Sequence, residues 1–156
     1  MNITLKLSIN DQVFEIVANA TLKVCRIYRQ QFGRDLIKDM SEINKMIKPS
    51  IYDFVDPDEL SKINVENMND EELNRAILKK VYPAYRKFEK EVLLDYEHTE
   101  RANQIIWAFA KNADENLSGY EDWIDGFDFI LPVKKIIPAL YDAWEKSAQP
   151  IIEVKN

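Results

Sequence analysis

The hydrophobic periodicity of this chain changes once, near its start, and that change sets the fold class. Within residues 2–9, Ile3, Leu5, Leu7 and Ile9 alternate with Asn2, Thr4, Lys6 and Ser8. A period of two puts the four apolar side chains on one face of a strand. Asn10 and Asp11 come next, two residues that tolerate the left-handed backbone of a tight turn. A second strand around Val13 to Val17 completes a hairpin over 2–18. Two strands alone are marginal in water, so their apolar face needs a layer of helices.

Helical spacing is what the rest of the chain supplies. Thr21 is placed to cap a helix running to about Phe32, with Gly33 as its stop, and Leu22, Cys25, Tyr28 and Phe32 share one side of it. A second helix is expected from Asp35 to Ile47. The aromatics of "PSIYDFVDP", between Pro49 and Pro57, predict an ordered loop. From Asp70 the apolar residues Leu73, Ile77, Val81, Tyr85, Phe88 and Val92 recur at helical intervals. Pro83 has no amide hydrogen and should kink or split that helix. Its outer face carries Arg75, Lys79, Arg86, Lys87 and Lys90.

Thr99 to Ala113 forms a further helix, with Ala102, Ile106, Phe109 and Ala113 on one face. The last, from Val133 to Lys146, has a clean single-sided stripe of Val133, Ile136, Ile137, Leu140, Tyr141 and Trp144, with Pro138 as a point of division. The expectation is an α+β fold: a mostly α-helical single domain with an N-terminal β-hairpin, occupying 1–149, and an exposed C-terminal tail at 150–156.

A chain of 156 residues is long enough for one sizeable core. Its net charge of −6 argues against a nucleic-acid partner. The charge is uneven: residues 1–50 hold eight Lys/Arg against five Asp/Glu, while 112–128 holds six acids and no base. Cys25 is the sole cysteine, which excludes an intramolecular disulfide and fits a reducing compartment. The N-terminus alternates instead of forming a leader-like apolar core, and no apolar run approaches the ~20 residues of a membrane span. A cytosolic protein with no membrane association is expected.

The stretch 112–127, "NADENLSGYEDWIDGF", has two readings. Counted from Asp114, it approaches a calcium loop, with Asp114, Asn116 and Ser118 at positions one, three and five, Gly119 at six and Asp125 at twelve. Glu121 stands at position eight, where an apolar residue belongs, and Asp125 replaces the usual bidentate Glu. The other reading is a helix start. Ser118 and Glu121 have the spacing of a capping box, Trp123 and Phe127 would form the buried face of a short helix, and Asn116 would end the preceding helix in a left-handed conformation. A calcium-dependent protein-interaction module at 114–125 stands as the alternative function, and an enzyme using the carboxylates of the C-terminal half as a weaker third.

No other chemistry is legible. His98 is the only histidine, so it reads as a polar surface residue and not as part of a zinc set or triad. Cys25, on an apolar helix face, reads as a structural thiol. The three glycines are isolated, so no phosphate-cradling loop is formed. With three Trp, seven Tyr and seven Phe but no catalytic set, the composition suits a binding protein.

The segment "NQIIWAFAKNADENLSGYEDWIDGFDFI" resembles the signature of the tail assembly chaperones of long-tailed phages and prophages of Gram-positive bacteria. The matching residues are Trp107, Ala113, Asp114, Glu121, Trp123, Ile124, Asp125 and Phe127. "IIPALYDAW", with Pro138 and Trp144, resembles the closing helix of that family. "MNITLKLSINDQVFEI" and "RIYRQQFGRDLIKDM" resemble its opening elements. The resemblance covers both ends of the chain and less of 48–95.

What it implies is a non-enzymatic chaperone of the host bacterial cytoplasm, without cofactor or metal. Such a chaperone keeps the tape measure protein soluble until the tail tube assembles. The resemblance further implies a longer, frameshifted product that reaches the major tail protein, made near the closing Val154-Lys155-Asn156. A helical client is held by helix-in-groove packing, which needs an apolar groove rimmed by charge. Trp107, Phe109, Trp123, Phe127, Tyr141 and Trp144 are candidates for its lining, at least half of them being expected in the core. The partner-binding residues expected from the C-terminal stripe are Trp123, Phe127, Ile137, Tyr141 and Trp144, with self-association covering them when no client is present.

Overall fold

The computed structural model describes residues 1–49, 51–63, 66, 68–148 and 153–154, with the backbone alone described at 51, 52, 59 and 60. Strands β1 (Asn2–Ile9) and β2 (Gln12–Asn19) open the chain. Helices α1 (Lys23–Phe32) and α2 (Leu36–Ile47), a 3-10 turn at Ile51–Phe54, and helices α3 (Pro57–Ser61) and α4 (Asp70–Glu91) follow. Helices α5 (Tyr96–Ala113), α6 (Tyr120–Asp125) and α7 (Val133–Ser147) complete it. The fold is the α+β arrangement with an N-terminal hairpin that the periodicity predicts. The chain divides into two compact units: Met1–Asn44 with Leu94–Asn156, and Lys45–Leu93. Of the expected tail at 150–156, only Glu153 and Val154 fall within the described residues, and both are exposed.

The hairpin is antiparallel, with Ile9 opposite Gln12 and Leu5 opposite Ile16. Asn10 and Asp11 both have positive φ, 50° and 64°, as the two central residues of a mirror-image turn require. Ile16 and Ala18 are buried, because β2 packs on α5. Asn112 of α5 fastens the end of that strand, its Nδ2 donating to the Asn19 carbonyl at 2.8 Å and to Thr21 Oγ1 at 2.9 Å. That bond explains why Thr21 does not cap α1 through its side chain. The helix instead begins from Leu22, which makes no side-chain cap bond and is 72% exposed, and Val24 and Tyr28 form the buried face. At the other end Gly33 takes the left-handed conformation, φ 69°, and donates its N–H to the Arg29 carbonyl.

Helix α2 starts beyond Asp35, whose carboxylate accepts from the Lys38 amide, and buries Leu36, Met40 and Ile43. Asp39 points inward from the same helix and is 2% exposed. Its charge is fully partnered: Arg34 donates through Nε to Oδ2 at 2.6 Å and through a second nitrogen to Oδ1 at 2.9 Å, and Tyr28 Oη donates to Oδ2 at 2.7 Å. Burial pushes the Asp39 carboxyl up. The bonds from Arg34 and Tyr28, with the charges of Arg34 and Arg101, outweigh that and hold it below the usual carboxylate range.

Helix α5 starts three residues before its apolar stripe suggests. Asp95 caps it by accepting from the His98 amide at 2.8 Å. The His98 ring is a partly exposed group held by two carboxylates. Its side chain is 17% exposed, with Nδ1 2.8 Å from Asp95 Oδ1 and Nε2 3.5 Å from Glu42 Oε1 of α2.

In the second unit, Phe54 of the 3-10 turn meets Tyr85 and Phe88 of α4 edge-on and tilted, at 5.7 and 5.4 Å between ring centres. Of the "PSIYDFVDP" segment, Phe54 thus packs on α4, while Ser50 lies outside the described residues. Asn69 caps α4 by accepting from the Glu72 amide. The helix is not split at Pro83, nor α7 at Pro138: each runs as one element through its proline. A proline inside a helix removes one bond in the ladder, and the bonds that remain on either side carry each helix through it.

Two outcomes follow. Asp39→Asn removes the charge that Arg34 and Tyr28 enclose, and should cost about 2 kcal/mol or more, short of a wholly buried pair because Arg34 is 37% exposed. The folded pKa of Asp39 is depressed, so its contribution is present above the unfolded value near ~4 and is lost as pH falls through the folded one. Urea melts of parent and variant should therefore converge in acid, and a gap unchanged from pH 7 to pH 2 would refute the assignment. The imidazole of His98, held by the Asp95 bond against a smaller burial effect and aided by Glu42, should titrate above its ordinary value. It stabilises the fold below the unfolded pKa of about 6.5, an effect that fades as pH rises through the folded value. The single histidine resonance gives the titration directly, and Glu42→Gln should shift it downward.

Candidate protein-interaction surface

The surface is built on α5. Ile105 to Ala110 are six consecutive buried residues, so this helix is covered on all sides. Helices α1, α6 and α7 and strand β2 pack against it. Helix α7 seats Ile136, Ile137 and Leu140 on it, each at 2% exposure or less. Such burial contributes on the order of 1.5–3 kcal/mol per side chain. Ile137 therefore belongs to the core, and its expected place in a partner-binding face is corrected. Tyr141 and Trp144, one step round the helix, stay half-buried, and the Trp144 ring meets Phe109 edge-on at 6.3 Å.

The turn from α5 to α6 differs from both sequence readings in its details. Asp114 ends α5 in an extended conformation, and its Oδ1 accepts from the Asn116 amide, so Asn116 is not left-handed. The capping box of Ser118 and Glu121 does not form. Gly119 is the N-cap of α6 and no side-chain cap bond is made. The reason lies in α5: Trp107 Nε1 donates to the Ser118 carbonyl at 3.0 Å, and Tyr120 is drawn into the core beside Phe32 and Trp107. Those anchors start the helix one residue late, which moves Glu121 out of the capping position.

Lys111 Nζ donates to the carbonyls of Glu115 and Leu117, so this loop is organised by a lysine. Positions seven to twelve of the calcium spacing, Tyr120–Asp125, are helix. Among the described residues no group of three or more His, Cys, Asp or Glu is placed to hold a metal ion. Cys25 is half-buried, and burial followed by the charge of Asp35 pushes its thiol up, away from a reactive thiolate.

Trp123 and Phe127 are half-buried and face one another edge-on at 4.9 Å. They begin a row that the sequence reading did not join. Phe127 lies 5.4 Å from Phe129, and Phe129 lies 4.5 Å from Phe14 on β2. Four aromatic rings from α6, the following loop and the hairpin thus form one partly exposed band, with Ile130 beside it at 87% exposure. Phe129 carried no helical or strand spacing, and only the return of the 126–132 loop onto β2 reveals it. A second apolar feature is a groove of about 510 Å3 lined by Met1, Ala20, Thr21, Leu22, Trp144 and Ser147, with Ala148 at its end. Trp144 and the exposed Leu22 are its large apolar walls.

Among the described residues no helix is long and apolar enough to cross a membrane. No family model matches the sequence, and neither the curated proteins nor the solved structures give a match.

Core and surface aromatics should separate in stability. Ile137→Ala should lose about 2–5 kcal/mol, whereas Trp123→Ala should lose no more than about 1.5, since its ring already meets water. Equal losses in denaturant melts would place Trp123 in the core and remove it from the surface.

Proposed function

We propose that this protein is a non-enzymatic phage tail assembly chaperone that binds the tape measure protein and keeps it soluble until the tail tube assembles. The observation that carries the reading is the partly exposed band of Trp123, Phe127, Phe129 and Phe14. Its first two members lie within the segment that resembles the chaperone signature. An amphipathic helical client presents anchors one turn apart, and a row of large apolar side chains rimmed by charge is the complementary surface. The rim is acidic: Glu121, Asp122, Asp125 and Asp128 are all exposed. The groove beside Trp144 and Leu22 offers a second place for an apolar anchor.

The reading extends to self-association when no client is present, expected from the apolar surface of the C-terminal half, and to contact with the major tail protein through a longer frameshifted form, which the resemblance implies. It places the protein in the host bacterial cytoplasm, where tails are built.

Coexpression with the tape measure protein tests the proposal. The parent should hold it in the soluble fraction. Trp123→Asp and Trp144→Asp, each first shown to fold by circular dichroism and melting, should release it to the pellet. A parent that leaves the tape measure protein insoluble, or folded variants that protect it equally well, would count against a client surface at these residues.

A further inference from the structure

The exposed face of α4 is strongly basic. Arg75, Lys79, Arg86 and Lys90 are exposed and recur at intervals of four, seven and four residues, opposite the inward row of Ile77, Val81, Tyr85 and Phe88. At about 1.5 Å per residue the stripe is about 22 Å long. Between residues 75 and 90 the only acid is Glu89, and at the end of the stripe Arg75 is paired with Glu71 at 2.7 Å, which leaves Lys79, Arg86 and Lys90 as its working charges. The stripe also has an apolar centre: a groove of about 470 Å3 lined by Leu78, Lys79, Tyr82 and Pro83, with Tyr82 50% exposed. Tyr82 is held under Arg86, whose Cζ lies 5.7 Å from the ring centre. That guanidinium occupies one face of the ring, which disfavours base stacking, and the overall charge of −6 disfavours a nucleic acid.

The complement to this stripe is present in the same sequence. Residues 112–128 carry six acids and no base. Glu121, Asp122, Asp125 and Asp128 line an exposed side of α6 and its exit, and Trp123 stands half-exposed among them. Residues 121 to 128 are separated by the same seven positions as Lys79 and Arg86. Lys111 is the nearby cation, and it is occupied by the Glu115 and Leu117 carbonyls.

We propose that the basic stripe of α4 in one copy receives the acidic α6 segment of a second copy, with Trp123 entering the Leu78–Tyr82–Pro83 groove. The two patches differ, so the contact is heterologous and can propagate head to tail. A single helix face buries less than the ~800 Å2 per partner of a standard stable interface, so the association is weak and governed by salt. The contact uses Trp123 and the acids around it, so a client bound to that band would displace the second copy; its own test needs no client.

Sedimentation of the full chain tests it. At 20 mM salt the weight-average mass of the parent should rise with concentration through the hundred-micromolar range, and return to that of a monomer at 0.5 M salt. Two variants, K79E/R86E/K90E and D122K/D125K, each shown to fold by circular dichroism, should each associate at least tenfold more weakly. Mixed in equal amounts they should form a heterodimer and nothing larger, because one intact stripe then meets one intact acidic segment. A parent that stays monomeric at low salt overturns the proposal. So does self-association of either variant at the strength of the parent, or a mixture that remains monomeric. Tight binding of a single-stranded oligonucleotide that is lost in K79E/R86E/K90E, with no association of the parent alone, would assign the stripe to nucleic acid instead.

Discussion

A helix buried on all sides has to draw every neighbour from elsewhere in the chain, and α5 places that demand on the first unit. Its run from Ile105 to Ala110 combines four large side chains with two alanines. Ala108 and Ala110 let neighbouring backbones approach, while Ile105, Ile106, Trp107 and Phe109 fill the space between them. Helix α1, strand β2 and helix α7 each meet a different side. The hairpin, marginal by itself, becomes stable because β2 lies on this helix. The one polar atom in the run that needs a partner, Trp107 Nε1, finds it in the Ser118 carbonyl and thereby fixes where the next turn passes.

The polar contacts then hold the other elements to this frame. Arg34, Asp39 and Tyr28 join α1, the turn after it and α2 through one carboxylate. His98, between Asp95 and Glu42, ties α2 to the start of α5. With that scaffold set, the short helix α6 places only Tyr120 in the core, and Trp123, with Phe127 and Phe129 beyond the helix, is left half-buried. Trp123, Phe127, Phe129 and Phe14 are each half-buried, so the band of rings leaves apolar surface exposed. The acids around it give that surface a charged rim.

Much of the secondary structure is legible in the residues. The alternation of Ile3 to Ile9, the Asn10-Asp11 turn and the Gly33 stop are local signals, and each acts where it stands. The inward row of α4 and the stripe of α7 are read from spacing, because a helix turns by the same amount per residue wherever it occurs. Caps were less legible. Thr21 and Ser118 have the chemistry of caps, but Asn112 takes the hydroxyl of the first and Trp107 the carbonyl of the second. A cap depends on which polar groups arrive from distant elements, and that is not written in the four residues around it.

Short-range periodicity and turn chemistry carry the class of fold, the hairpin and the placing of the long helices along the chain; the burial of Val24 on α1, and of every residue from Ile105 to Ala110 on α5, goes beyond the faces that spacing marks. Tertiary structure alone decided how deep each apolar side chain lies. Ile137 and Tyr141 sit on the same stripe of α7, yet the first is wholly buried against α5 and the second is not. It also decided that Asp39 is an interior charge, and that Phe14 and Phe129, 115 positions apart in sequence, share one aromatic contact. Burial depth and long-range pairing depend on which element covers a face. That is set by the competition of all elements for the surface of α5, a property no local window of residues contains.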